Sequence, residues 1–206
     1  MAFLILGTKL TQVFLSNTDS NTFELLQYRM KSVAIGHLAI LHTLEWDTIP
    51  SLKIYFDELQ VIEGNALAFT NPAIEAALIH CRALLEFLGL KAKNESKLEQ
   101  RKSEKSDDAV IEHFQGPKSQ LRKITVAEAI TPYMGDSTEA EKALAYVLHT
   151  ANKGLAHNTY NFSKSDEASH LLEIAFRGVP TLMIKYFYIP LDIQPPDYKS
   201  KSRPRP

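Results

Sequence analysis

The chain holds 206 residues, 45% of them hydrophobic and 23% charged, with a formal net charge of −1 at neutral pH. That length favours a single domain with enough chain to bury a sizeable core. The near-zero charge excludes both a globally basic surface for nonspecific nucleic-acid binding and the acidic excess of a disordered chain.

The run Phe3 to Leu15 reads either as a short strand or as an irregular packed segment, with Thr8 to Val13 alternating in the manner of a strand. Met1 to Gly7 is apolar but short, with no basic leader and no small-residue cleavage site, so the chain is expected to be cytoplasmic. Ser16 to Asn21 is turn chemistry, and Asn21 or Thr22 is placed to cap a helix. From Phe23 to about Trp46, Leu25, Leu26, Met30, Val33, Leu38 and Leu41 recur at helical spacing. Pro50 ends that reach. Leu52, Tyr55, Phe56 and Leu59 then suggest a shorter amphipathic helix within Ser51 to Glu63, closed by Gly64-Asn65.

Thr70-Asn71-Pro72 is a start signal, with a capping side chain followed by a proline suited to a first helical turn. The helix it opens should run to about Gly89 with Ile74, Leu78, Cys81, Leu85 and Leu88 as its apolar stripe. Cys81, the only cysteine, excludes an intrachain disulfide and reads as a buried thiol acting as a small hydrophobe. Lys91 to Lys105 loses periodicity, becomes charged and reads as a solvated loop. Ser106 or Asp107 restarts a short helix through Phe114 before the breaker Gly116-Pro117.

Thr125-Val-Ala-Glu128 has capping-box spacing and opens a short helix ending near Pro132. Thr138-Glu-Ala-Glu141 repeats the signal for a long helix reaching His157. Ser165 starts a last helix, expected to kink near Gly178 to Pro180 and to end around Tyr188. Its most apolar stretch, Ala175 to Leu191, is broken by Arg177, Pro180 and Lys185, short of the roughly 20 apolar residues of a spanning helix. No membrane association is therefore expected. From Pro190 the prolines and Lys199, Lys201, Arg203 and Arg205 suggest a disordered tail. The sequence thus predicts a mainly α fold: one domain over residues 1–189, a helical bundle with four long helices, short accessory helices and little strand, followed by a tail over 190–206.

The polar residues with chemical potential gather on two helices. His149, Lys153 and His157 lie four apart, so they form one stripe, with Asn152 beside it. On the helix after Asn71, Glu75, Arg82 and Glu86 fall close to one face, with His80 to the side. If these faces met, a carboxylate, an arginine and one or two histidines would share a crevice able to bind phosphate or move protons near neutral pH. The same residues also fit plain structural roles. Arg82 and Glu86 stand at i, i+4 as an ordinary ion pair, and His149 and Lys153 suit a solvated face. His157 and Asn158 suit a helix end.

No His-Glu-x-x-His helix, glycine-rich phosphate loop or Gly-x-Ser-x-Gly elbow occurs, so no metal and no cofactor are expected. His37 and His42 sit among apolar residues as core or half-buried histidines. Asp107, Asp108 and Glu112 have the chemistry to bind a cation weakly, but acidic residues in the first turn of a helix are routine.

The pairing of Ile79-His-Cys-Arg-Ala-Leu-Leu-Glu-Phe-Leu88 with Asn152-Lys-Gly-Leu-Ala-His157 resembles helical proteins of the HEPN type, over roughly residues 70–160. The resemblance implies a helical, often dimeric protein, with RNA or another protein as partner. Many members are metal-independent RNases whose motif is an arginine, a polar residue and a histidine four to six residues on. On that motif His157 matches the histidine, Lys153 the polar slot and Asn152 the arginine slot, with Arg82 as a helper from the other helix. Asparagine supplies neither the charge nor the planar fork of arginine. The implied function is accordingly binding or self-association without an intact nuclease site. An active metal-independent RNase and a protein-interaction scaffold are the alternatives.

Overall fold

A computed structural model describes residues 17–105, 108–153 and 165–199. Its long helices are α1 (Asn17–Leu44), α2 (Leu67–Phe87), α4 (Ser137–Lys153) and α5 (Asp166–Met183), with the short α3 (Val126–Ile130) before α4. Strands β1 (Ser51–Phe56) and β2 (Leu59–Asn65) form one antiparallel hairpin, and β3 (Leu90–Ala92) and β4 (Leu98–Gln100) form another. These two hairpins overturn the expectation of a mainly α bundle with little strand. Among the described residues no helix is long and apolar enough to cross a membrane.

Each long helix buries an apolar stripe. In α1 it is Phe23, Leu26, Met30, Val33 and Ile40; in α2 it is Leu78, Cys81, Leu84 and Leu85. Alanines let α4 come close, since Ala143, Val147, Leu148 and Ala151 are buried together. The helices alternate in direction. Arg29 of α1 meets His80 of α2, while Ile40 and Leu44 share a pocket with Asn71 and Ile74. On the other side, Ala140 of α4 shares a pocket with Arg177 and Thr181 of α5, while Tyr146 shares the first pocket with Ala168 and Ser169. The core centres on Phe187, whose ring stands edge-on to Phe87 and Phe114 with centroids 5.0 Å away in each case, an arrangement aromatic quadrupoles favour.

The expected helix within Ser51 to Glu63 is the first hairpin. Leu52, Tyr55, Phe56, Leu59 and Ile62 fit a helical stripe, but Ile54 and Val61 would stand on the far side of that helix. As strands the same residues separate into two faces. Asp57 takes the left-handed conformation (φ 52°) in the turn, one that aspartate tolerates. The solvated loop expected from Lys91 is likewise a hairpin. Asn94 Oδ1 accepts hydrogen bonds from the backbone N–H of Ser96 and of Lys97, both at 2.9 Å, and so shapes its turn.

Other boundaries moved. α2 begins at Leu67, ahead of the expected cap, so Pro72 lies inside it and the buried Thr70 hydroxyl has no partner among the described residues. Between Asp108 and Phe114 the only helical turn is the 3-10 turn Ile111–His113. Thr125 and Glu128 do form the reciprocal capping box. At α4 the cap is Asp136, whose carboxylate accepts from the Thr138 N–H at 2.8 Å. Glu141 turns instead to the second hairpin, accepting from Lys97 Nζ at 2.8 Å and the Leu98 N–H at 3.1 Å. Ser165 caps α5 as expected. That helix carries Pro180 within it and passes into a π turn, Ile184–Tyr188. The tail expected from Pro190 remains packed for several residues, with Leu191 buried and Ile193 and Tyr198 against the core.

Candidate functional site

The sequence-predicted site residues lie on different parts of the structure. Arg82 is half-exposed on α2, and its Nε donates to Glu86 Oε1 at 2.9 Å, as the i, i+4 spacing allows. Asn152 and Lys153 are exposed in the last turn of α4. His157 and Asn158 lie outside the described residues. Tyr146 of α4 stands level with Ile74 of α2, since both line one pocket. The two helices run in opposite directions, so from that level Arg82 lies about 12 Å one way and Lys153 about 10 Å the other. No hydrogen bond or ion pair among the described residues joins them. His149 is occupied by a different partner, with Nε2 3.2 Å from Glu95 Oε1 at the tip of the second hairpin.

The structure assembles a cluster that helical spacing within one segment could not reveal. Tyr133, before α4, donates its hydroxyl to Glu139 Oε2 at 2.7 Å, and His170 Nε2 lies 3.0 Å from Glu139 Oε1. Glu173 and Arg177 continue the α5 face from His170 and pair loosely at 3.9 Å. The Tyr133 hydrogen bond, followed by that of His170, lowers the Glu139 pKa. The same bond to Glu139 raises the Tyr133 pKa. Both shifts move away from neutrality, opposite to what a general acid or base requires. Beside this cluster lies a pocket of about 520 Å³ lined by Leu144, Ile174, Arg177, Gly178 and Leu182 among others. A second, of about 240 Å³, opens between α1, α2, α4 and α5. Neither is lined by Arg82, Asn152 or Lys153. Among the described residues no three metal-ligating side chains converge.

Two histidines are partly withdrawn from water. Arg29 Nη1 lies 3.4 Å from His80 Nδ1, and the His80 ring stands edge-on to Tyr28. Burial, then the Arg29 charge, lowers the His80 pKa. Burial is also the main cause that lowers the pKa of His37, near Glu173 and Arg177 on α5. Cys81 is fully buried, and burial pushes its thiol pKa well up, away from a nucleophile.

The most distinctive surface is the β1–β2 hairpin. Its register pairs Lys53 with Glu63, Ile54 with Ile62, Tyr55 with Gln60 and Phe56 with Leu59, with Val61 as the extra residue of a bulge. Side chains alternate along a strand, so one face carries Lys53, Tyr55, Gln60 and Glu63. These are joined by Tyr55 donating to Gln60 Oε1 at 3.0 Å, Gln60 Nε2 donating to Glu63 at 2.8 Å, and Lys53 pairing with Glu63 at 3.5 Å. The opposite face carries Leu52, Ile54, Phe56, Leu59 and Ile62 and no charge. Phe56 is 68% exposed, Leu59 70% and Ile62 47%. The hairpin joins the helices at its base, where the Ala66 N–H donates to the Pro50 carbonyl at 2.9 Å. Sequence reasoning missed this face because it assigned the segment to a helix. The signal was present in the alternation of Leu52, Ile54 and Phe56. No protein-family model, no curated protein and no solved structure matches this chain.

Proposed function

We propose that this chain acts by association, through the apolar face of the β1–β2 hairpin, as a HEPN-like protein without nuclease chemistry. The carrying observation is an amphipathic hairpin whose polar face is internally bonded and whose apolar face is half-buried at Leu52 and Ile54 and exposed at Phe56, Leu59 and Ile62. Isolated exposed apolar side chains are ordinary, whereas contiguous ones such as Phe56, Leu59 and Ile62 are characteristic of interaction sites. The reading without nuclease chemistry is supported by Arg82, which pairs with Glu86 on α2 and makes no hydrogen bond or ion pair with Lys153 among the described residues.

The test is incubation of the full chain with total RNA in chelator, beside His157→Ala. Neither protein is expected to cleave. Cleavage by the wild type that disappears in His157→Ala would replace this reading with a metal-independent RNase.

A further inference from the structure

We infer that the cavity between α3, α4 and α5 binds a small molecule, an apolar monocarboxylate whose head is taken by Arg177. The site is separate from the hairpin face and does not depend on the association reading.

Small side chains open the cavity. Gly178 of α5 has nothing within 4 Å of where its Cβ would stand. Ala129 of α3 and Ala140 of α4 send no more than a methyl group into the same space, and Leu144, Ile174 and Leu182 supply an apolar wall. The volume of about 520 Å³ falls in the roughly 300–1,000 Å³ range of small-molecule sites. Because a cavity of about 150 Å³ accepts benzene, this one has room for up to about twenty non-hydrogen atoms. Met134 also lines it and is 99% exposed. Its flexible apolar side chain is free to fold over an apolar body.

The polar chemistry of the cavity converges on one group. The Tyr133 hydroxyl is spent on Glu139 at 2.7 Å, and the Thr181 hydroxyl on the Arg177 carbonyl at 3.1 Å. Arg177 is the only charged residue lining the cavity among the described residues. Its Nη1 stands 3.9 Å from Glu173 Oε1, beyond hydrogen-bond length, so the guanidinium keeps its donors for a ligand.

Charge and shape then select the head group. The planar fork of arginine matches the two oxygens of a carboxylate. One positive charge balances a monoanion. A phosphate dianion would bring a second negative charge near Glu173 and Glu139 with no second lining cation, and an amine would meet the guanidinium as a like charge.

The experiment titrates the full chain calorimetrically with decanoate below its micellar concentration, and with decanol as the uncharged control of equal chain length. Wild type should bind decanoate saturably and at least about tenfold more tightly than decanol. Arg177→Gln should lose that preference and keep the decanol affinity. Gly178→Leu fills the cavity from its wall and should lose both ligands, with its helical circular-dichroism signal and melt showing an intact fold. Should Gly178→Leu fail to fold, Thr181→Phe obstructs the same cavity from an exposed position. Phe56→Glu/Leu59→Lys, on the hairpin, should bind as wild type does. Absence of saturable wild-type binding overturns the inference, as does undiminished binding in a folded cavity-filling variant. Binding lost in the hairpin variant alone would place the ligand on that face and overturn it too. A decanoate preference that is missing, or that survives in Arg177→Gln, overturns the assignment of the head group to Arg177.

Discussion

Gly36 of α1 faces Ala77 of α2 so closely that a Cβ on the glycine would overlap the alanine methyl. Gly178 of α5 is the opposite case, with nothing within 4 Å of where its Cβ would stand. The same substitution should therefore change sign between them. Gly36→Ala is expected to destabilise by about 1–3 kcal/mol through overpacking. Gly178→Ala is expected to stabilise by about 1 kcal/mol through helix propensity. Denaturant melts of both variants check this, and equal effects would show that the α1–α2 crossing yields more than the backbone geometry allows.

The Tyr188 hydroxyl is buried with no hydrogen-bond partner among the described residues, and burial pushes its pKa up to about 12. Tyr188→Phe removes an unsatisfied polar group and keeps the ring. It should be neutral or stabilising by about 1 kcal/mol, in contrast to the usual loss when a bonded hydroxyl is deleted. A clear loss of stability in the melt would reveal a partner for the hydroxyl.

Glu128 closes the α3 capping box and also takes the Arg122 guanidinium. The Arg122 hydrogen bond, then the Thr125 N–H, brings its pKa from 4.5 down to about 2. A depressed acid stabilises the fold above its unfolded pKa, and that stability is lost as pH falls. The loss should fall between about pH 4.5 and 2. Glu128→Gln should melt lower than wild type at pH 6, and the gap should narrow on acidification. A constant gap would mean the carboxylate charge contributes nothing.

His80 and His37 predict a separate window. Their folded pKa values lie below 6.5, chiefly through burial. The unfolded chain therefore takes up protons first as pH falls. Stability is fully present above pH 6.5 and is lost as pH drops through the folded values. His80→Gln should flatten the dependence of melting temperature on pH in this range, whatever its effect at pH 8. An unchanged slope would assign the dependence elsewhere.

The sequence was most legible where local chemistry decides structure. Thr125 with Glu128, Ser165, the buried Cys81 and the apolar stripes of the long helices all depend on spacing within one or two turns. Leu52 to Ile62 was ambiguous because residues 52, 55, 56 and 59 satisfy a helical period while 52, 54 and 56 satisfy a strand period. What separates the two is the pair Ile54 and Val61, which a helix would place opposite its apolar stripe and which the hairpin accommodates as a strand residue and a bulge. The charged run from Lys91 hid its turn signal, Asn94, among solvated residues. At the site, the Arg82–Glu86 pair was readable at i, i+4. The Tyr133–Glu139–His170 cluster was not, because its members come from a loop and two helices that only the fold brings together.

The hairpin's attachment at its base separates two kinds of packing constraint within this chain. Residues of α1, α2, α4 and α5 are constrained by one another, because each fills space beside the next. Phe56, Leu59 and Ile62 touch that packing little, so they can be exchanged without rebuilding it. A new recognition surface can therefore be installed on thirteen strand residues, while the helices remain an unaltered chassis.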